Sequence, residues 1–396
     1  MKKITTGKAD ISILALLAIW SISAITSLPG LAISPIMGDL ETVFPRTTEL
    51  EIQMLTSLPS MMVIPFLFLS GKLSANKNKI GILGIGLIIF LLSGISYFFI
   101  NSMSGLIIIS CILGVGAGIV IPLSTGLIAE YFSGRYRTQQ LGISSAINNL
   151  TLVLATYLTG RLAEINWHAP FVVYWLPIIS IILCWFLPKS QSSNDTYRNN
   201  TSNTIGITAK TSKLIGLMVL YFFVTYNTLA IPLNLPFVME QYKMDSDSSG
   251  IVISLFFLAI TLPGFFITKL LDKMGSAVNW INLLLMTIGL IIIYISHHIV
   301  LFSIGAILTG FGYGIIQPLI YDKTSKISTS GNVVMNLAFV MAMNYLAVLI
   351  APFIIKLFST IFYNNSPELI FSINGIMVLA SVFVAWIYRK SFVLGK

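Results

Sequence analysis

The residues best suited to bind something are uncharged polar and phenolic side chains set inside long apolar runs. Asn227 and Asn234, with Tyr226 beside them, fall in one run, and Tyr313, Gln317 and Tyr321 in another. Ser124 and Thr125 occupy a third, and Asn148 and Asn344 lie in two more, at a separation of 196 residues. Leaving an amide in hydrocarbon without a partner costs about 2–7 kcal/mol, so each of these must face either a polar cavity or another helix. Taken singly, each serves equally well as helix-to-helix glue. Taken as a set, they describe a largely neutral, partly aromatic surface able to hydrogen-bond to a small organic molecule and stack on it.

The acids are informative by their placement. None of the 14 Asp and Glu residues falls near the middle of an apolar run. Glu51 and Asp39 lie at the mouth of the first two runs and Asp322 at the end of the tenth, which makes them the nearest candidates for a proton-coupling group. The bland reading is a solvated charge at a helix end. No Ser/His/Asp, Cys/His or paired-carboxylate set falls at matching depth, so an enzyme is not expected. His168, His297 and His298 sit in short loops without cysteine or carboxylate company, and Cys111 and Cys184 lie inside apolar runs. Neither a metal site nor a disulfide nor any cofactor is expected. No G-x-x-x-x-G-K-[ST] stretch occurs, which excludes a P-loop for ATP hydrolysis.

The elements that carry these residues follow from composition. Of 396 residues, 56% are hydrophobic and 9% charged, with mean hydropathy +0.90. A soluble domain carries roughly a quarter charged residues, and runs of about 20 apolar residues match a helix crossing ~30 Å of hydrocarbon. The chain reads as an all-α integral membrane protein with twelve spans. They are expected at about 11–36, 51–70, 80–100, 106–129, 141–162 and 171–187. The second six are expected at about 214–239, 251–271, 278–296, 301–321, 333–358 and 369–388. Residues 189–213 are rich in Ser, Asn and Thr and cannot build a core, so they are read as a linker between a 1–188 half and a 214–396 half. Lys2 and Lys3 before an apolar run imitate a signal peptide, but cleavage would remove one span and unbalance the halves.

The two halves echo each other. Gly114, Gly116, Gly118 and Pro122 recur as Gly310, Gly312, Gly314 and Pro318, again 196 residues on. With six spans per half, both copies start on the same side, giving a parallel repeat about an axis along the membrane normal. Gly114 and Gly118 share one helix face, as do Gly310 and Gly314, and are read mainly as close-packing positions. A dinucleotide-binding reading fails, because no strand precedes these glycines and they lie in mid-span. The prolines within spans suit bends that let helix halves tilt.

Charge sets the expected orientation. With the N-terminus in the cytoplasm, 19 Lys and Arg fall inside and 4 (Arg46, Arg161, Lys243 and Lys356) outside. The positive-inside rule then places both termini and the linker in the cytoplasm. The formal charge of +9 is scattered between spans, which fits lipid headgroups rather than nucleic acid.

Two loops carry a family resemblance. Residues 71–79, beginning Gly71-Lys72-Leu73 and ending Lys79, and residues 268–275, with Leu270, Asp272 and Gly275, resemble the G-x-L-x-D-x-x-G-x-(K/R) motif of the major facilitator superfamily. Ala75 and Asn78 depart from it in the first copy and Thr268 in the second. With Leu28-Pro29-Gly30, Ile119 to Pro122 and Glu130 to Arg137, the chain most resembles bacterial twelve-span drug-efflux members. Ser110 stands where that family's R-x-x-x-G motif has arginine, and the span-5 motif of drug/proton antiporters is missing. The resemblance implies a central cavity lined by spans 1, 4, 7 and 10, and a cytoplasmic gate made by Gly71, Asp272, Arg135 and Arg137. It also implies the bacterial cytoplasmic (inner) membrane.

The function expected is secondary active transport by alternating access. The cargo is expected to be a small amphipathic or apolar organic molecule, moved outward by an ion (proton) gradient, with a monomer in the lipid bilayer as the working unit. The alternatives are an uncoupled facilitator or importer of a small neutral solute, or a non-transporting membrane sensor of the same fold.

Overall fold

The computed structural model describes residues 3–5, 10–76, 79–132, 134–187, 209–327, 333–362 and 366–387. The linker expected at 189–213 lies almost wholly outside them. Twelve helical segments, α1 to α12, account for nearly all of the described chain. Nine are long and apolar enough to cross a membrane: α2 (Glu49–Asn76), α3 (Lys79–Ser96), α4 (Met103–Tyr131), α7 (Ala209–Gln241), α8 (Ser246–Met274), α9 (Val278–Ile295), α10 (Ile299–Ile327), α11 (Val333–Ile361) and α12 (Leu369–Ile387). Their outward side chains include Ile108, Phe265, Ile295 and Ile376, large apolar groups left exposed as a lipid-facing surface requires.

The other three depart from simple rods. The first span, α1, is broken into Ile13–Ile25 and Leu28–Val43, bent by 45°. The cause is local: Pro29 is extended (φ −59°, ψ 123°) and Gly30 takes φ +90°, a conformation that strains any side chain. The backbone of Thr56 in α2 also fills the space a Cβ on Gly30 would need. α5 (Gly134–Ala163) is 30 residues long, but Arg135, Arg137, Gln139, Gln140, Asn148 and Asn149 dilute its apolar character. α6 is shorter than the expected 171–187. A 3-10 stretch, Ala169–Trp175, precedes an α-helical piece, Pro177–Cys184, which begins on a proline that has no N–H to donate to the preceding turn. A small antiparallel hairpin, Lys3–Thr5 with Asp10–Ser12, precedes α1 and was not foreseen.

Packing within the first six helices is repeated within the second six. α2 lies on α4 as α8 lies on α10, α3 on α4 as α9 on α10, α1 on α5 as α7 on α11, and α3 on α6 as α9 on α12. The glycine triplets explain the tightest of these contacts. Gly114 and Gly118 face the backbone of Pro59 and Val63 in α2, while Gly116 faces Gly86 and Phe90 in α3. In the second half Gly310 and Gly314 face Phe256 and Ile260 in α8, and Gly312 faces Asn282 and Met286 in α9. α4 and α10 are therefore each wedged between two helices, with backbone against backbone. The six-helix groups meet along two extensive pairings, α2 with α11 and α5 with α8.

Candidate substrate site and the seam between the halves

Two polar clusters lie on the helices expected to line the cavity. In the second half, the Tyr221 and Tyr321 hydroxyls are 2.7 Å apart, and Gln317 Nε2 donates to Tyr221 Oη at 2.9 Å. Thr225 Oγ1 and Tyr313 Oη are 3.1 Å apart. Tyr221 and Thr225 are one turn apart on α7, as are Tyr313, Gln317 and Tyr321 on α10, so helical spacing presents each set on one face. In the first half, Ser144 Oγ donates to Ser23 Oγ at 2.6 Å, and Ser23 lies 3.1 Å from Ser124 Oγ. Thr26 Oγ1 donates to Asn148 Oδ1 at 3.0 Å and Trp20 Nε1 to Gln140 Oε1 at 2.9 Å.

The expected substrate residues thus divide. Gln317, Tyr313 and Tyr321 join the α7–α10 cluster, and Ser124 and Asn148 the α1–α4–α5 cluster. Thr125, one position on, is exposed and bonds back to Pro122 O at 3.1 Å. Asn227 is fully buried, and its Nδ2 donates to Phe223 O at 2.7 Å while its Oδ1 has no partner among the described residues. Tyr226 Oη is likewise buried without one. Asn344 is half-buried on α11. Sequence reasoning missed Tyr221, Trp20, Gln140, Ser23 and Ser144. Tyr221 could have been found from its four-residue spacing to Thr225.

Asn234 belongs elsewhere. Gln53 Nε2, from α2, donates to Asn234 Oδ1 at 3.2 Å and to Leu233 O at 3.1 Å, crossing from one half to the other. Further cross-half bonds are Ser246 Oγ to Pro35 O at 3.3 Å and the ion pair Arg161–Asp247 at 3.1 Å. Gly160 and Gly250 bring α5 and α8 into backbone contact at the same level, and Gly38 meets Pro236. All of these lie at the end of the bundle that carries Glu41, Glu49, Glu164, Glu240 and Glu368, here termed the acidic end. Among the described residues, these bonds latch the halves at the acidic end.

The expected coupling and gating residues take varied places. Glu51 is exposed and caps its own helix: its Oε2 accepts from Thr48 N at 2.8 Å, and Glu51 N donates to Thr48 Oγ1 at 3.3 Å, a capping box. Asp39 is half-buried on the second piece of α1, and Asp322 is exposed near the linker end of α10. Gly71 falls near the end of α2, and the side chains of Asp272, Arg135 and Arg137 lie outside the described ones. An unforeseen ion pair, Lys79–Glu130 at 2.7 Å, joins α3 to α4 at the linker end. In the loop before α8, the side-chain hydroxyl and backbone N–H of Ser248 hold the Asp245 carboxyl below the ordinary aspartate value. Ser110, in the position of the family's arginine, is buried against Tyr97 Oη at 2.7 Å.

Comparison with known proteins gives a consistent frame. The multidrug transporter protein MdtP of Bacillus subtilis is 28% identical over 42% of this chain and 30% of its own length. The quinolone resistance protein NorA of Staphylococcus aureus is 33% identical over 29% of each chain. The chain therefore matches under a third of the length of these curated relatives. The crystal structure of a D-xylose-proton symporter superposes with TM-score 0.73 at 17% identity, covering 96% of this chain and 97% of that one. The sequence profile of the Major Facilitator Superfamily matches residues 11–217 and again 214–394. With its helical bundle and paired packing, the chain belongs to the Major Facilitator Superfamily of membrane transporters.

Proposed function

We propose that this protein is a secondary active transporter that exports a small amphipathic or apolar organic molecule by alternating access, with a proton gradient as the driving force. The acidic end is taken as external and the termini and linker as cytoplasmic, with 1–188 and 214–396 as the rocking halves. The reading rests chiefly on one observation. Two uncharged clusters, one phenolic and one rich in hydroxyls, lie one in each half on the helices expected to line the cavity, and the cross-half bonds described above lie at the acidic end. Latching at the acidic end leaves the site to open toward the linker end, where cargo would enter from the cytoplasm. Asn227, Gln317 and Asn148 are assigned to hydrogen-bonding the cargo, and Tyr226, Tyr313 and Tyr321 to contacting its apolar faces. Ser124, Thr125 and Asn344 complete the lining.

A facilitator or importer of a neutral solute is the second reading. It is favoured by the uncharged character of the residues described in both clusters, since a group that must bind a proton is then not among those described in contact with the cargo. The test is site-directed labelling in a background free of Cys111 and Cys184. Asn227→Cys and Gln317→Cys should react with a membrane-impermeant thiol reagent from the cytoplasmic side and be protected by a transported dye. Failure to react from either side would exclude a cavity there. Ethidium flux in proteoliposomes, with and without an imposed pH gradient, separates coupled export from facilitation.

A further inference from the structure

Where the acidic ends of α2 and α11 meet, the halves form an open-mouthed cavity of ≈ 220 Å³ whose lining includes Glu41, Glu49, Gln53, Ile355, Lys356 and Ser359. Glu49 also lines a second, smaller hollow beside it, with Asn234 and Ile370. Glu49, Gln53 and Ser57 stand at i, i+4 and i+8 and so follow one face of α2 from this cavity toward the bundle centre. Gln53 is 1% exposed and spends its Nε2 on the other half, while its Oε1 has no partner among the described residues. Ser57 is fully buried, and its Oγ also has none. A half-buried carboxylate therefore heads a row of unsatisfied oxygens, all of them able to accept a hydrogen bond, in a built cavity at the seam. Orphaned acceptors of this kind call for a donor, and a protonated carboxyl or the water that delivers its proton is one.

We propose that Glu49 is the proton-exchange site of this carrier, with Gln53 and Ser57 continuing the polar row beneath it and Lys356 facing it from the other half. The proposal rests on the proton-driven reading above and names the site for it. The step is a simple protonation: the Glu49 carboxylate takes a proton from the compartment to which the acidic end opens, and after the halves have rocked it releases that proton along the Gln53–Ser57 row to water entering from the linker end, so that one proton crosses from one compartment to the other. Its surroundings must change in that motion. With the acidic end latched, Glu49 is half-buried beside the cavity and feels Lys356 of α11 and Glu41 of the broken first span. With the end open, Lys356 moves away with its half and water enters. A carboxylate held in two such environments binds its proton with two affinities, which is the requirement for coupling.

The other charges at this end complete the picture. Asp39 and Glu41 come from the second piece of α1; Glu240 of α7 feels both of them across the seam, and Asp245 bears on Asp39. α4, packed along α2, has no charged residue between Met103 and Ala129. Glu51 is exposed and committed to capping its helix, so the neighbouring carboxylate that sequence spacing favours is poorly placed for this role.

The test needs no cargo. Spin labels on Thr42→Cys and His298→Cys, one in each half at the acidic end, report its opening by double electron–electron resonance on the full-length protein in lipid, with Cys111 and Cys184 replaced by Ala. The latched and open populations should change about tenfold between about pH 5 and about pH 8. Glu49→Gln should give one distribution at both values, and Glu49→Asp should restore the response with a displaced midpoint. A Glu49→Gln protein that responds to pH as the parent does, or a parent whose distances ignore pH, would overturn the proposal. Ethidium flux in the same preparations keeps the two readings apart. Labels that respond through Glu49 without dye transport would sink the cargo assignment alone, and dye transport with pH-blind labels would sink the Glu49 site alone.

Discussion

Replacing Gln53 with Met should unlatch the acidic end. The side chain is fully buried and contributes two hydrogen bonds across the seam, to Leu233 O and Asn234 Oδ1. Each is worth about 1 kcal/mol net, and stranding Asn234 Oδ1 adds about 1–3 kcal/mol of desolvation cost in the latched state. Met has nearly the same volume, so no cavity term enters. It also removes Gln53 Oε1, which is already unpartnered, and this returns about 1–3 kcal/mol. The two desolvation terms offset, leaving about 2 kcal/mol against the latched state, or a shift of roughly thirtyfold in the ratio of latched to open. The assay is the rate of thiol labelling at Ser359→Cys, which lines the seam cavity, in membranes with the acidic side facing the reagent. An increase of about tenfold or more is expected, tracking the open population. An unchanged rate in a protein that is still folded by its thermal transition would refute the claim that these bonds hold the end shut.

Other consequences follow from the same geometry. Arg161→Ala removes a cross-half ion pair whose arginine is 52% exposed, so it should weaken the latch only slightly, with the effect vanishing at high salt; labelling at Ser359→Cys at two ionic strengths measures it. Gly310→Val should destabilise the fold by about 1–3 kcal/mol or more, because its side chain would meet the Phe256 backbone; a lowered unfolding temperature in detergent reports this. Tyr221→Phe deletes the hydroxyl that joins Tyr321 and Gln317, and should lower dye affinity by about tenfold while leaving the fold intact. Asp245 has a depressed folded-state affinity for its proton, so its contribution to stability is present above the ordinary aspartate value and is lost as pH falls through the lower folded one. Asp245→Asn should therefore flatten the acid limb of the stability curve below about pH 4.

The parts of this architecture legible in the sequence are those written as local periodicity or repetition. Apolar runs mark most of the helices because hydrocarbon tolerates nothing else of that length. The 196-residue echo marks α4 and α10 because only glycine allows the backbone approach that both make to α2 and α3, or α8 and α9. Features that depend on a single backbone torsion were harder to see. Leu28-Pro29-Gly30 stood out as a motif, but nothing in the text of the chain says that Gly30 takes a positive φ and bends the first span there. The broadest gap concerns the seam. Gln53 reads as one amide near the start of a span, and only the paired halves reveal that it reaches Asn234. Likewise Glu49 and Glu51 are indistinguishable by composition, and the capping geometry of Thr48 decides which of them is committed to its own helix.

Counterflow in proteoliposomes tests the central claim most directly. Vesicles holding the purified protein are loaded with unlabelled ethidium, diluted into a trace of radiolabelled ethidium with no ion gradient, and followed for label uptake. A carrier whose site opens alternately to the two sides should show a transient accumulation of label above its equilibrium level, abolished by omitting the internal dye and reduced by Tyr221→Phe. Uptake that rises to equilibrium without overshoot, at a rate indifferent to the dye inside, would contradict alternating access by this protein.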